Sequence, residues 1–248
     1  MTTINTRKNI WITGASSGIG RALALILAQQ GNCVLASGRN LQALGALAGE
    51  HKNIKILAID ISEAIDSDAI RQHFEFLNCV ILNAGTCEYL DVDAPDWSMM
   101  ERVMRVNFLG AVNSLEAALP LLRSNPLGGG HIVGVGSLAT VVPFARAEAY
   151  GASKAALQYW LNSLRLDFAP EGIDVTVVNP GFVKTPLTDK NDFEMPFLMS
   201  AQQAAQRISC AIESRPRVLN FPRRLSYLLH FMRLFPSLWQ RLMVADKK

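Results

Sequence analysis

The sequence has no apolar stretch long enough to cross a bilayer as a helix. Its four cysteines, Cys33, Cys79, Cys87 and Cys210, share no CxxC spacing, so reduced and mostly buried thiols are expected rather than a disulfide framework. The four histidines, His51, His73, His131 and His230, are scattered without ligand spacing, and no metal site is predicted. Basic residues form no recognised nucleic-acid module, so no nucleic-acid partner is expected. Residues 1–10 contain Arg7 and Lys8 but no following apolar run of the secretory kind. That argues against a signal peptide, and the reduced cysteines predict a cytoplasmic protein. Internal repeats and low-complexity segments are absent as well.

What is present is a large apolar content, 50% of 248 residues, enough for one sizeable α/β core. The net charge of +3 hides an asymmetry: residues 214–248 hold eight basic side chains and one acid, net +7, leaving −4 on residues 1–213. Such an excess suits a solvated basic face, an anionic partner or a membrane surface.

Along the chain, short apolar runs alternate with helical patterns. NIWIT is followed by a helix over 19–30, CVLAS by one over 41–48, IKILAI by one over 64–76, and CVILN by a long one over 97–123. HIVGVGS follows the glycines at 128–130; then come a helix over 150–168, DVTVVNP, a helix over 201–213 and a short strand over 218–221. This rhythm predicts an α/β fold, a Rossmann-type doubly wound parallel sheet of about seven strands. A single catalytic domain over 1–221 would carry a short helical C-terminal tail over 222–248. Gly31 and Pro170 fall where their helices should stop.

Three features carry chemistry. TGASSGIG, residues 13–20, sits between a strand and a helix, where Gly14, Gly18 and Gly20 let the backbone approach a pyrophosphate; its spacing is GxxxGxG. In YGASK, Tyr150 and Lys154 lie four residues apart and share a helix face. At about 4 Å and an effective dielectric near 20, an ammonium attracts a phenolate by about 4 kcal/mol, enough to lower a tyrosine pKa from about 10 toward 7. At the end of the second strand, ASGRN places Ser37 where an acid would bond a ribose 2′-hydroxyl, and Arg39 follows, suited to a 2′-phosphate.

Taken in order, TGASSGIG, Asp60, the NAG at 83–85, Asn107, Ser137, YGASK, and Pro180-Gly181 with Thr185 resemble the short-chain dehydrogenase/reductase family over residues 9 to about 188. The resemblance implies Tyr150 as catalytic acid/base, with Lys154 lowering its pKa and holding the nicotinamide ribose. It implies Ser137 on the substrate oxygen and Asn107 on a relay water. The cofactor would lie against Gly14, Ser16, Ser17, Gly18, Ile19 and Gly20. It would also meet Ser37 and Arg39, Asp60 and Ile61 at the adenine, Asn83, Ala84 and Gly85, and Pro180, Gly181, Val183 and Thr185. NADP(H) is expected over NAD(H). The expected activity is hydride transfer to or from a small or lipophilic carbonyl/alcohol substrate, by a homodimer or homotetramer. A non-catalytic nicotinamide-binding regulator or scaffold is the alternative, and a nucleotide-sugar epimerase or dehydratase ranks behind both.

Two segments break the rhythm. The loop over 182–200 carries Phe182, Phe193, Met195, Phe197, Leu198 and Met199, which either close an apolar pocket over the substrate or serve as ordinary core. The basic tail interleaves Leu, Phe, Met and Trp with arginines in two helical patterns split at Pro236. A cap packed on or near the substrate cleft or a subunit contact is the first expectation. A peripheral membrane contact is the other.

Overall fold

The computed structural model describes residues 7–245; the outer ends of the expected segments, 1–6 and 246–248, lie outside the described residues. The apolar runs become β1 (Asn9–Thr13), β2 (Cys33–Gly38), β3 (Ile54–Ala58), β4 (Cys79–Leu82), β5 (Gly130–Val135) and β6 (Ile173–Pro180). A separate parallel ribbon pairs β7 (Val183–Lys184) with β8 (Met199–Ser200), and β9 (Val218–Phe221) rejoins the main sheet. That sheet is wholly parallel, seven strands in the order β3-β2-β1-β4-β5-β6-β9. The order reverses between β1 and β4, which opens a crevice above their C-terminal ends.

The helices are α1 (Gly18–Gln29), α2 (Leu41–Glu50), α3 (Ser67–Arg71), α4 (Ser98–Met104), α5 (Gly110–Arg123), α6 (Glu148–Phe168) and α7 (Ala201–Ser214). Alternation in the strands sends side chains to two cores. Ile10, Ile12 and Val34 meet α1, α2 and α7 on one face. Trp11, Leu35 and Ile132 meet α3, α5 and α6 on the other. Gly31, at φ +92°, turns the chain out of α1 through the left-handed region, and Ser200 with Gln203 forms a capping box that starts α7.

Two expected helices differ. The pattern over 97–123 is not one helix: a π turn, Arg105–Leu109, separates α4 from α5 and rotates the second relative to the first. The helix expected over 64–76 shrinks to α3, because the Asp66 carboxylate caps it by accepting from Asp68 N at 2.9 Å. Beyond α3 the chain leaves the helix, and Phe74 and Leu77 drop into the core. The tail forms α8 (Arg223–Met232) and α9 (Pro236–Ala245), split at the predicted proline.

One close approach sets the position of α6. Leu161, fully buried, lies on β5 at Gly134, where an added β-carbon would overlap Leu161 Cδ1. Gly134→Val therefore forces α6 off the sheet. We expect a loss of about 1–3 kcal/mol and a melting temperature several degrees lower, read by thermal unfolding.

Candidate active site

The crevice begins at a turn that two side chains, those of Thr13 and Asn83, staple shut. Thr13 Oγ1 accepts from Asn83 N at 3.1 Å and Ala84 N at 3.2 Å, and donates to Ile81 O at 3.3 Å. Asn83 Nδ2 returns bonds to Thr13 O at 2.9 Å and Gly14 O at 3.1 Å. Gly14, at φ +68°, lies so near β4 that an added β-carbon would stand 2.6 Å from Ala84 Cα. Ser17, the N-cap of α1, makes no side-chain capping bond, so the first-turn N–H groups and the positive helix end face the crevice. These residues fit a pyrophosphate.

A cavity of about 300 Å³ runs from this turn across the strand ends. Of the expected residues it is lined by Gly14, Ser16, Ser17, Gly18, Ile19, Arg39, Asp60, Ile61, Asn83, Ala84, Gly85, Ser137, Tyr150, Lys154, Pro180, Gly181, Val183 and Thr185. Gly20 stands behind the wall, buried where a β-carbon would meet Gly14 O and Asn83 Nδ2. Ser37 requires a correction. It is fully buried, its hydroxyl accepting from Trp11 Nε1 at 2.9 Å and donating to Ile12 O at 3.2 Å. Leu35 and Ser37 share the strand face turned to Trp11, so Gly38, one residue on, borders the cavity instead. Ile59, Val106, Val135, Gly136, Pro186, Leu187 and Thr188 also line it. Several could have been found from their place beside a strand end or a named motif.

At the outer end Asp60 accepts from Ser62 N at 3.0 Å and Ser62 Oγ at 2.8 Å, bonds that hold its carboxyl below the usual range. Arg39 Nη1 lies 3.8 Å from Asp60 Oδ2 and is largely exposed. A pair so long and wet holds the guanidinium weakly.

At the inner end Tyr150 and Lys154 project from the first turns of α6. The expected effect of Lys154 on Tyr150 is not what the structure has. Burial pushes the Tyr150 phenol up to about 12, opposed by its hydrogen bond with Ser137. Burial also pulls the Lys154 ammonium down to about 8. The reason is where the ammonium spends its contact: Lys154 Nζ donates to Val135 O at 2.8 Å, at the end of β5. Desolvation penalises both charged forms, so the phenol is held protonated while the ammonium is brought closer to neutrality. Ser137 Oγ accepts from Ala139 N at 3.1 Å, which fixes the hydroxyl beside the phenol.

Asn107 is buried in the π turn and does not line the cavity. Its Oδ1 accepts from Thr86 N at 2.7 Å, and its Nδ2 donates to Thr86 O and Ser153 Oγ, both at 2.9 Å. Both amide hydrogens are used, so the side chain braces the wall of the site. It ties the loop after β4 to α6, since Ser153 Oγ donates in turn to Tyr150 O at 2.8 Å.

The substrate side divides the two readings of the 182–200 loop. Met199 is buried in the core of α1 and α7, and Phe182 packs beneath α8. Phe193 bridges, edge-on to Tyr89 at 6.1 Å and to Phe182 at 5.9 Å, while Phe197 and Leu198 are exposed. Met195 Sδ accepts from Asn191 Nδ2 at 3.2 Å. Leu225 of α8 stands 2.7 Å from where a Gly181 β-carbon would be, which brings the tail to the cavity edge. Among the described residues no group of histidines, cysteines and carboxylates could hold a metal, and no helix is long and apolar enough to cross a membrane.

Comparison with known proteins agrees with this geometry. The family model for short chain dehydrogenase matches residues 8–195. An oxidoreductase of Myxococcus xanthus is 35% identical over 237 residues, covering 91% of this chain and 92% of that one. The NADPH-dependent 1-acyldihydroxyacetone phosphate reductase of Schizosaccharomyces pombe is 37% identical over 196 residues, 74% of this chain and 62% of that one. Among solved structures, a short-chain dehydrogenase from Streptomyces avermitilis superposes with a TM-score of 0.82 at 22% identity, covering 98% and 97% of the two chains.

The buried ammonium has a stability cost with a definite pH window. The pKa of Lys154 is lowered on folding, so its burial is unfavourable below about 8 and ceases to matter above the ordinary value of 10.5. Lys154→Met should therefore melt higher than wild type at pH 7, by about 1–3 kcal/mol, with the gap closing as pH rises toward 10.5. Melting curves across that range, taken without cofactor, check both the sign and the window.

Proposed function

Because the chain belongs to the short-chain dehydrogenase/reductase family, a family of nicotinamide-dependent oxidoreductases, we propose that it transfers hydride between NADP(H) and a small or lipophilic carbonyl/alcohol pair, with Tyr150 as the acid/base. One observation carries the reading: Tyr150, Ser137 and Lys154 border the same cavity as the open N-terminus of α1. When bound there, the nicotinamide supplies or takes up the hydride.

The residues present divide the binding. Gly14, Ser16, Ser17, Gly18 and Ile19 would hold the diphosphate, with Asp60 and Ile61 toward the adenine. Asn83, Ala84 and Gly85 would form the floor, Lys154 would meet the ribose, and Pro180, Gly181, Val183 and Thr185 would lie toward the nicotinamide. Arg39, held only weakly by Asp60, has donors free for a 2′-phosphate. The name of the fission-yeast relative, which records NADPH, supports the same choice.

The proton chemistry follows from the pKa positions. A phenol near 12 is fully protonated at neutral pH, and a carbonyl oxygen becoming an alkoxide is a stronger base than phenolate. Tyr150 therefore gives up its proton as negative charge develops, and the Ser137 hydroxyl donates to the same oxygen. Lys154, near 8, is mostly charged at pH 7 and stabilises the phenolate left behind. The arrangement suits reduction. We place the enzyme in the cytoplasm as a homodimer or homotetramer, with exposed Tyr159 and Leu166 on the outer face of α6 as the subunit contact.

Three measurements test this reading. Tyr150→Phe should lower turnover by about 10²–10⁴-fold while NADPH binding, read by fluorescence, is retained; retained turnover would mean a binding protein or a different acid. The kcat/KM for NADPH should exceed that for NADH, and Arg39→Ala should cost NADPH about tenfold or more with little change for NADH. In the reductive direction, kcat/KM should fall above pH of about 8, where Lys154 loses its charge. Lys154→Arg should move that fall upward.

A further inference from the structure

The two tail helices are apolar on both faces. Inward, Leu225, Leu229 and Met232 of α8 and Trp239 of α9 pack with Leu138 and Val142 into one buried cluster, and Trp239 Nε1 donates to Pro143 O at 2.6 Å. Outward, Tyr227, Leu228, Phe231, Leu234, Leu238 and Leu242 are exposed, Tyr227 and Leu234 to 72% each. Both inner faces meet the same cluster, so the outer faces point away from it together. Burial against the rest of the chain explains the inner positions only. Nothing in a freely solvated helix pair calls for the outer ones.

The charge around this face is one-sided. Residues 215–245 contain no acid. Arg223, Arg224, Arg233 and Arg241 make no ion pair among the described residues, whereas Arg21, Arg102, Arg105, Arg123, Arg146 and Arg215 each hold a carboxylate. A second copy meeting the face about a two-fold axis would bring the same arginines against these. An anionic lipid surface answers both features: the apolar side chains enter the acyl boundary, and the arginines reach phosphate groups with their stems along it.

We infer that the outer face of α8 and α9 is a docking surface for an anionic lipid bilayer. Tyr227, Leu228, Phe231, Leu234, Leu238 and Leu242 insert, and Arg223, Arg224, Arg233 and Arg241 bind headgroup phosphates. The inner face of the same helices borders the substrate end of the cavity beside Gly181, so docking sets that end against the membrane. The docking does not depend on the reductase reading, and binding is measured without turnover, so the two can fail separately.

The experiment is co-sedimentation of the full-length protein with vesicles of phosphatidylcholine alone and of phosphatidylcholine with phosphatidylglycerol in equal parts. Wild type should pellet at least about tenfold more with the anionic vesicles, and raised salt should release it. The variant Tyr227→Ser/Phe231→Ser/Leu238→Ser, altered only at exposed positions and checked for wild-type melting, should lose about tenfold or more of that binding. Each arginine changed to Gln should cost about fivefold. The inference is overturned if wild type stays in the supernatant with both vesicle types, if it pellets equally with both, or if the serine variant pellets like wild type. It is also overturned if light scattering shows wild type at twice the variant's mass with neither pelleting, which would make the face a seam between copies.

Discussion

A buried ammonium, that of Lys154, sets the terms for the inner half of the cleft. Removing it from water is costly, and its bond to the carbonyl of Val135 offsets part of that cost. That carbonyl is in reach because α6 rides low on β5, and α6 rides low because Gly134 leaves room for Leu161. The residue that lets the helix down therefore precedes the one that receives the lysine. On the far side the π turn brings Asn107 to Ser153, so α6 is held from the sheet and from the loop after β4 at once. Edge-on packing of Phe108 against Trp160 at 6.0 Å strengthens the second hold.

The two ends of the cavity work by different physics. Around Arg39 and Asp60 the charges are wet, so the pair is loose and each group stays free to meet other charges. Around Tyr150 and Lys154 desolvation dominates, and each charged form is penalised. Preorganised donors placed in such surroundings stabilise developing charge better than the same groups in solvent.

Much of this was legible in the sequence. Strand and helix rhythm gave the order of elements, and the glycines of TGASSGIG gave the crevice, because each rests on local steric rules. Motif position alone puts Ser37 at the cleft, but alternation along β2 decides its side: Leu35 faces Trp11, so Ser37 must face it too. The π turn was hidden because one inserted residue leaves the apolar pattern over 97–123 almost unchanged. The Tyr150–Lys154 spacing reported a shared helix face correctly, but spacing says nothing of the Val135 carbonyl, which comes from a strand nearly twenty residues earlier. Desolvation is a property of the assembled site and could not be read from the pair.

The tail shows why a helix pair can be apolar all round without being core. Its inner face completes a wall that β6 and the turn after Ser137 cannot close alone: without Leu225 and Leu229, buried Leu138 and Val142 would stand open beside the cavity. Gly181 records the intimacy of that contact, since no β-carbon fits between it and Leu225. Among the described residues the outer face stays exposed, so the inner one is held by packing and the outer one is not. A substitution inside should reach the cleft, and one outside should not.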